Sequence, residues 1–447
     1  MMKKTYEMDM CSGPLLHKIL IYAIPLMLSG ILQLLFNAAD VIVVGRFAGH
    51  ESLAAVGSTS ALINLLINVF IGLSVGANVL VAQYFGAGKV KEVQDTVHTA
   101  IAVSLICGAV LVFLGIFAAG PLLRLMGTPQ DVLDKSVLYM RIYFAGMPVI
   151  MLYNFGAAIL RAVGDTKRPL YFLMAAGVVN VVLNLFFVIT LHMGVAGVAL
   201  ATVLSQCISA ALVCRCLIKS ESAYHLELAK LGVRWHTLKR IAQIGLPAGF
   251  QGAVFSISNV LIQSSINSFG SVAMAGSTAS ANLEGFVYNA MNAVYQTNLS
   301  FTSQNLGGGK FERINRILLL CLGVVTVVGL VMGGSFVLLG PHLLGIYSSD
   351  SEVIQFGMMR LAIICGLYFI CGWMDVLVGS LRGLGSSIIP MLVSLAGACG
   401  LRVVWIFTVF QWQHSLFVLY LSYPVTWAIT GVAHLLCFLM IRRKFPQ

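Results

Sequence analysis

Read for hydropathy, the chain alternates long apolar runs with short polar joints from one end to the other. Twelve runs are long enough to be membrane helices, near residues 16–46, 53–85, 92–119, 132–160, 168–191, 194–218, 238–268, 271–306, 313–340, 352–381, 388–411 and 415–441. A helix needs about 20 predominantly apolar residues to cross a bilayer, and the longest of these can tilt or extend beyond it. Most joints carry Gly, Pro or charge, as in GAGKVKE, GDTKRP, GGGKFER and GLGSSIIP. The one long charged joint, residues 219–240, separates the sixth run from the seventh. The pattern therefore predicts an all-α polytopic membrane protein of about twelve transmembrane helices. It has an N-terminal six-helix lobe (1–218), an inter-lobe linker (219–240) and a C-terminal six-helix lobe (241–447).

The two halves echo each other. IPLMLSGILQLLFNAAD near Pro25 matches GLPAGFQGAVFSISNVL near Pro247, and SLAAVGSTSA at Ser52 matches SVAMAGSTAS at Ser271. AQYFGAGKVKE at Ala82 matches SQNLGGGKFER at Ser303, and ILRAVGDTKRP at Ile159 matches SLRGLGSSIIP at Ser380. The order is kept and the offset stays near 220 residues. Six helices followed by six in the same orientation form a parallel repeat. Carriers built on such repeats bind between their halves and alternate access by rocking them.

Composition agrees with membrane embedding and narrows the chemistry. Of 447 residues, 59% are hydrophobic and only 10% charged, against about 25% charged in soluble domains; mean hydropathy is +0.93. The net charge of +11 is then no argument for nucleic acid. It belongs to loops beside anionic lipid. With both termini inside the cell, all but six of the Lys and Arg fall on the cytoplasmic side, from Lys3, Lys4 and Lys18 at one end to Arg442, Arg443 and Lys444 at the other. The N-terminus reads as a retained cytoplasmic leader rather than a cleaved signal. The ten cysteines are scattered without a C-x-x-C pair and the nine histidines lack metal spacing. No G-K-[ST] phosphate loop occurs, and FGAGK and LGGGK end helices instead. An enzyme, a cofactor or a protein-bound catalytic metal is not expected.

Three acids lie inside the apolar runs: Asp40, Glu284 and Asp375. An Asp at the centre of a membrane helix costs about 2.5–3.5 kcal/mol on insertion scales, so such a group faces a cavity or a partner. Asp40 is followed by Val and Ile, and Asn37 shares its helix face. Pro25 and Gly30 earlier in that run can kink or soften it. Asp40 is read as the holder of an exchangeable sodium ion or proton, the alternative being a paired structural acid. Asn180 and Asn184, one turn apart, and Thr202 in the next run are partner candidates. Glu284 and Asp375 have two readings, substrate charge recognition or a structural role as a helix–helix hydrogen bond or the lining of a water-filled vestibule. The predicted seventh and eighth helices are unusually polar, so Asn259, Asn282 and Glu284 are candidate lining for a substrate cavity, joined by Asp375 of the tenth run and Asn37 of the first. Acids there favour cationic substrates.

These features together resemble the multidrug and toxic compound extrusion (MATE) transporters over nearly the whole chain. The resemblance rests on the two six-helix halves, NAADVIVVGRFAG, the GSTSA and FGAGK stretches, and LRAVGDTKRP with its counterpart LRGLGSSIIP. It is similar to the bacterial branch often called DinF-like. The resemblance implies a V-shaped pair of lobes and antiport of organic compounds against sodium or protons. It also implies a cation site in the N-terminal lobe built by an Asp on the first helix, an Asn and an Asp on the fifth, and a Thr on the sixth. Asp40, Asn180 and Thr202 stand at those positions, whereas Asn184 replaces the second acid, which removes one negative charge and leaves proton coupling as open as sodium. The expected protein is a monomeric, multi-pass carrier of the cell inner membrane that exports small organic, cationic compounds. The alternative is a lipid-linked oligosaccharide flippase of related architecture, which the acidic rather than basic cavity candidates disfavour.

Overall fold

The computed structural model describes residues 6–446; Lys3 and Lys4 of the predicted cytoplasmic set lie outside them. The described chain is helical, without a strand. The first half comprises α1 (Leu15–Phe47), α2 (His50–Gly86), α3 (Val90–Leu125), α4 (Gln130–Ala145), α5 (Met147–Ala162), α6 (Lys167–Leu185) and α7 (Gly194–Ile218). The second comprises α8 (Trp235–Asn267), α9 (Ser271–Gly307), α10 (Phe311–Leu338), the short α11 (Gly340–Gly345), α12 (Ser351–Gly366), α13 (Tyr368–Gly383), α14 (Ile388–Ser394), α15 (Arg402–Phe407), α16 (Val409–Trp412) and α17 (Leu416–Arg442). Among the described residues, nine helical spans are long and apolar enough to cross a membrane, and the bent pairs α4–α5 and α12–α13 bring the number to eleven. With 37 residues, α9 has the length but too many Ser, Thr, Asn and Gln to pass the same test.

The fourth predicted helix of each half is broken rather than continuous. The chain turns by 49° between α4 and α5 and by 43° between α12 and α13. At the first break Gly146 sits against Val203, where an added Cβ would come within 2.5 Å of its side chain. Pro148 opens α5, where its missing N–H costs nothing. The fifth span of each half also departs from α-helix. A π-helical turn, Phe186–Thr190, follows α6, and another, Leu395–Leu401, follows α14. Single π turns inside membrane helices recur at functional positions. Three pairs of left-handed glycines, Gly49/Gly270, Gly88/Gly309 and Gly164/Gly385, share one offset along the chain. The sequence repeat is thus also a repeat of backbone conformation.

Two compact units emerge from packing. Unit 1 takes the residues up to Asp9 and Leu32–Ala253; unit 2 takes Met10–Ile31 and the chain from Val254 onward. The unit boundaries therefore fall inside α1 and α8, beyond Pro25 and Pro247, and not at residues 219–240. That linker belongs to unit 1 and is bonded to it. The backbone N–H of Glu227 donates to His98 Nε2 at 3.0 Å, that of Arg234 donates to Thr99 Oγ1 at 3.3 Å, and Arg234 pairs with Asp95. Arg168 holds Tyr224 through Nη2 at 3.1 Å.

Within unit 1, glycines allow the start of α8 to lie directly on α2. A Cβ at Gly72 would fall 2.3 Å from the backbone N of Gly249, one at Gly76 2.2 Å from the Ile241 carbonyl, and one at Gly249 2.3 Å from the Val69 carbonyl. GLSVG and GLPAG each place two glycines four apart on one helix face, the small-residue spacing that lets membrane helices approach closely. Gly72→Ala is expected to destabilise the protein by about 1–3 kcal/mol, as overpacking does. Gly57→Ala, where the added methyl meets nothing within 4 Å, is expected to be neutral or slightly stabilising through helix propensity. Thermal unfolding in detergent checks both.

Candidate ion-coupling site in unit 1

Asp40 lies on the unit 1 part of α1, in a half-buried position. The face of α6 opposite brings Asn180 and Asn184, 5% and 0% exposed. These are one helical turn apart, so their amides stack along a single face. The approach of α1 is close: Phe36, one turn before Asp40, fills the space a Cβ at Gly177 of α6 would need, 1.8 Å from its ring. Gly177 is thus what allows α1 to bring its carboxylate to the α6 amides.

The hydrogen bonds run in one direction. Asn184 Nδ2 donates to Asp40 Oδ1 and, at 3.1 Å, to Asn180 Oδ1. Asn180 Nδ2 donates in turn to α7, to Ser205 Oγ at 3.4 Å and Thr202 Oγ1 at 3.5 Å. The two hydroxyls give their own protons to backbone, Thr202 to the Val198 carbonyl at 3.0 Å and Ser205 to the Thr202 carbonyl at 2.8 Å. Their lone pairs therefore face Asn180. One atom is left over: Asn184 Oδ1 is buried and has no hydrogen-bond donor among the described residues. A buried carbonyl oxygen without a donor loses its hydration without return. It sits on the amide that holds the Asp40 carboxylate. Among the described residues no three His, Cys, Asp or Glu side chains converge. The donors offered here, a carboxylate, two amides and two hydroxyls, are hard oxygens suited to a hard cation, or to a proton on the carboxylate itself.

All four residues proposed for this site from sequence thus meet, and Ser205 joins them. Ser205 stands three residues after Thr202, so helical spacing alone puts it on the same face. The substrate-cavity candidates fare differently. Asn37, Asn259 and Asn282 are exposed and do not belong to this cluster. Glu284 is not an open acid. It is 6% exposed, its carboxylate is bound bidentately by Arg360 (Nε to Oε1 2.7 Å, Nη2 to Oε2 2.8 Å), and Ser280 donates to it at 3.0 Å. Arg360 also donates to Ser277 at 2.8 Å and lies over Tyr420 and Tyr423. Of the two readings left open for Glu284, the geometry is that of a helix–helix bond joining α9 to α12. Its partner was missed, although an arginine in the middle of an apolar run needs an acid as much as an acid needs it. Asp375 on α13 is half-buried and makes no hydrogen bond or ion pair among the described residues; its charge acts on Tyr288, Cys371 and Arg382.

The chain is 26% identical over 420 residues to the probable multidrug resistance protein YoeA of Bacillus subtilis, covering 92% of this chain and 90% of that one. It is 25% identical over 352 residues, 77% of each chain, to the FAD transporter of Shewanella oneidensis. A solved outward-facing multidrug resistance MATE family transporter of the MOP superfamily superimposes with a TM-score of 0.92 at 22% identity, covering 99% of both chains. The MatE family model matches the chain twice, over residues 25–186 and 247–408, which are the two copies of the repeat. The protein belongs to the MatE family of multi-pass membrane transporters.

Proposed function

We propose that the protein is a secondary antiporter that exports small organic cations in exchange for sodium ions or protons, with Asp40 as the point where the coupling ion loads. The observation that carries this reading is the unmet Asn184 carbonyl oxygen beside a carboxylate held by the amide of that same residue rather than by a basic residue. A structural acid in lipid would be paired with Arg or Lys, as Glu284 is. An acid whose hydrogen-bond partner is a neutral amide can exchange its counter-ion. The carboxylate and the Asn184 oxygen would take sodium between them, with Asn180 and Thr202 as further oxygens; a proton would sit on Asp40 alone. The two units would divide the work. Unit 1 would hold the ion; unit 2, through the unpaired Asp375 and the polar residues Asn259 and Asn282, would meet the substrate. The excess of Lys and Arg on one side supports both termini in the cytoplasm, and the carrier would span the cell inner membrane as a monomer.

A second substrate class has its own support, since one relative is named for FAD, which is anionic. Flux into everted vesicles, with sodium and proton gradients imposed separately, decides. Accumulation of ethidium driven by either gradient supports the cation reading; gradient-driven accumulation of FAD without ethidium transport would replace it. The coupling ion follows from a variant. Asn184→Asp adds a second carboxylate to the cluster, and the charge count of a site tunes its cation affinity. The half-saturating sodium concentration for ethidium flux is expected to fall several-fold in Asn184→Asp.

A further inference from the structure

A cavity lies in unit 2, far along the chain from the coupling residues. It has a volume of about 680 Å³ and is formed by the start of α10 and the end of α17. The two helix ends are fastened together there: Arg442 Nη2 donates to the Phe311 carbonyl at 2.8 Å, and the rings of Phe311 and Phe445 stack at 5.8 Å. The lining is graded along both helices. On α10 it runs from Glu312 and Asn315 to Leu318 and Leu319; on α17 it runs from Leu435, Phe438 and Leu439 to Arg442 and Arg443. Polar groups of both helices therefore meet at the helix ends, and apolar groups continue along the helices away from them.

The polar end is basic. Arg443 lines it, and Arg316 and Lys444 are exposed close by in sequence, with Glu312 as the acid of the lining. Arg442 is only 7% exposed and lines the cavity. Its Nη groups are used by the carbonyls of Phe311, Phe445 and Pro446. Its Nε–H is buried and meets no acceptor among the described residues. A guanidinium with an unmet N–H, at the basic mouth of an otherwise apolar cavity at a membrane-helix end, suits a phosphate oxygen with a hydrocarbon tail behind it. We propose that this cavity is a binding site for an anionic glycerophospholipid, the phosphate held by Arg442 and Arg443 and one acyl chain lying on Leu318, Leu319, Leu435 and Leu439. The site does not depend on the identity of the coupling ion or of the exported compound.

The test is native mass spectrometry of the purified full chain in detergent, given equal amounts of phosphatidylglycerol and phosphatidylcholine, with thermal unfolding in parallel. The wild type is expected to retain phosphatidylglycerol over phosphatidylcholine by about tenfold and to unfold at a higher temperature with it, and inorganic phosphate is expected to do neither. Arg442→Met with Arg443→Gln removes the head-group contacts; Leu435→Trp fills the chain-binding part while leaving the charge and the helix fastening in place. Both are expected to bring the preference to unity. Equal retention of the two lipids by the wild type would overturn the proposal. So would a stabilisation by inorganic phosphate as large as that by phosphatidylglycerol, or an unchanged preference in folded Leu435→Trp.

Discussion

Asp40→Asn is expected to abolish ion-driven flux while leaving the protein folded. The asparagine keeps the shape of the side chain and an oxygen for the Asn184 amide. It loses the charge. At about 4 Å and an effective dielectric near 20, a unit charge pair is worth about 4 kcal/mol, which is roughly three orders of magnitude in ion occupancy. The cost to stability is small or absent, because no basic partner is left behind and a neutral amide is cheaper at membrane depth than a carboxylate. Flux of ethidium under an imposed sodium or proton gradient should fall to the level of empty vesicles. The thermal midpoint should stay within a few degrees of the wild type. A variant that is inactive because it has unfolded would show in the second measurement.

Arg360→Met is expected to act in the opposite way, on stability first. It leaves the Glu284 carboxylate buried between α9 and α12 with only Ser280 to donate to it. Removing one partner of a buried ion pair costs about 3–5 kcal/mol, because the remaining charge has neither water nor counter-charge. Glu284→Leu leaves the guanidinium stranded and should cost a similar amount. The double variant Glu284→Leu with Arg360→Met removes both charges, and apolar replacement of a whole buried pair is often neutral or stabilising. Each single variant is therefore expected to lower the thermal midpoint and the yield sharply, and the double variant to recover most of the loss. Full additivity of the two single losses would show that the two side chains do not act as a pair.

The contrast between the two acids explains what the sequence could and could not reveal. The helices were readable because membrane spans need long apolar runs, and even the polar α9 was recognisable by its length and by its repeat partner. The repeat itself was readable, and the paired left-handed glycines and the double family match bear it out. Asn180, Asn184 and Thr202 were found because helical spacing puts the two amides on one face and because the family resemblance supplied the cross-helix pairing. Spacing alone does not bring α1 to α6. That depends on Gly177 accepting the Phe36 ring, and a glycine among many in an apolar run gives no sign of its neighbour. The breaks within the fourth spans were half legible. Gly146 and Pro148 mark the first, while the second, at Leu367, has no proline. The π turns have no sequence signature at all, since they arise where tertiary contacts displace one carbonyl. The pairing of Glu284 with Arg360, 76 residues apart, was hidden for the same reason: each residue was visible, their meeting was not.

The claim on which the rest stands is that Asp40 carries the exchangeable ion, and ion release by the purified protein tests it without vesicles or gradients. Ethidium is added to the detergent-solubilised protein in weakly buffered solution. Proton release is followed with a pH indicator, and sodium release with protein pre-equilibrated in radioactive sodium. Substrate binding is expected to displace about one ion per wild-type molecule and none from Asp40→Asn. Equal displacement from the wild type and Asp40→Asn would contradict it.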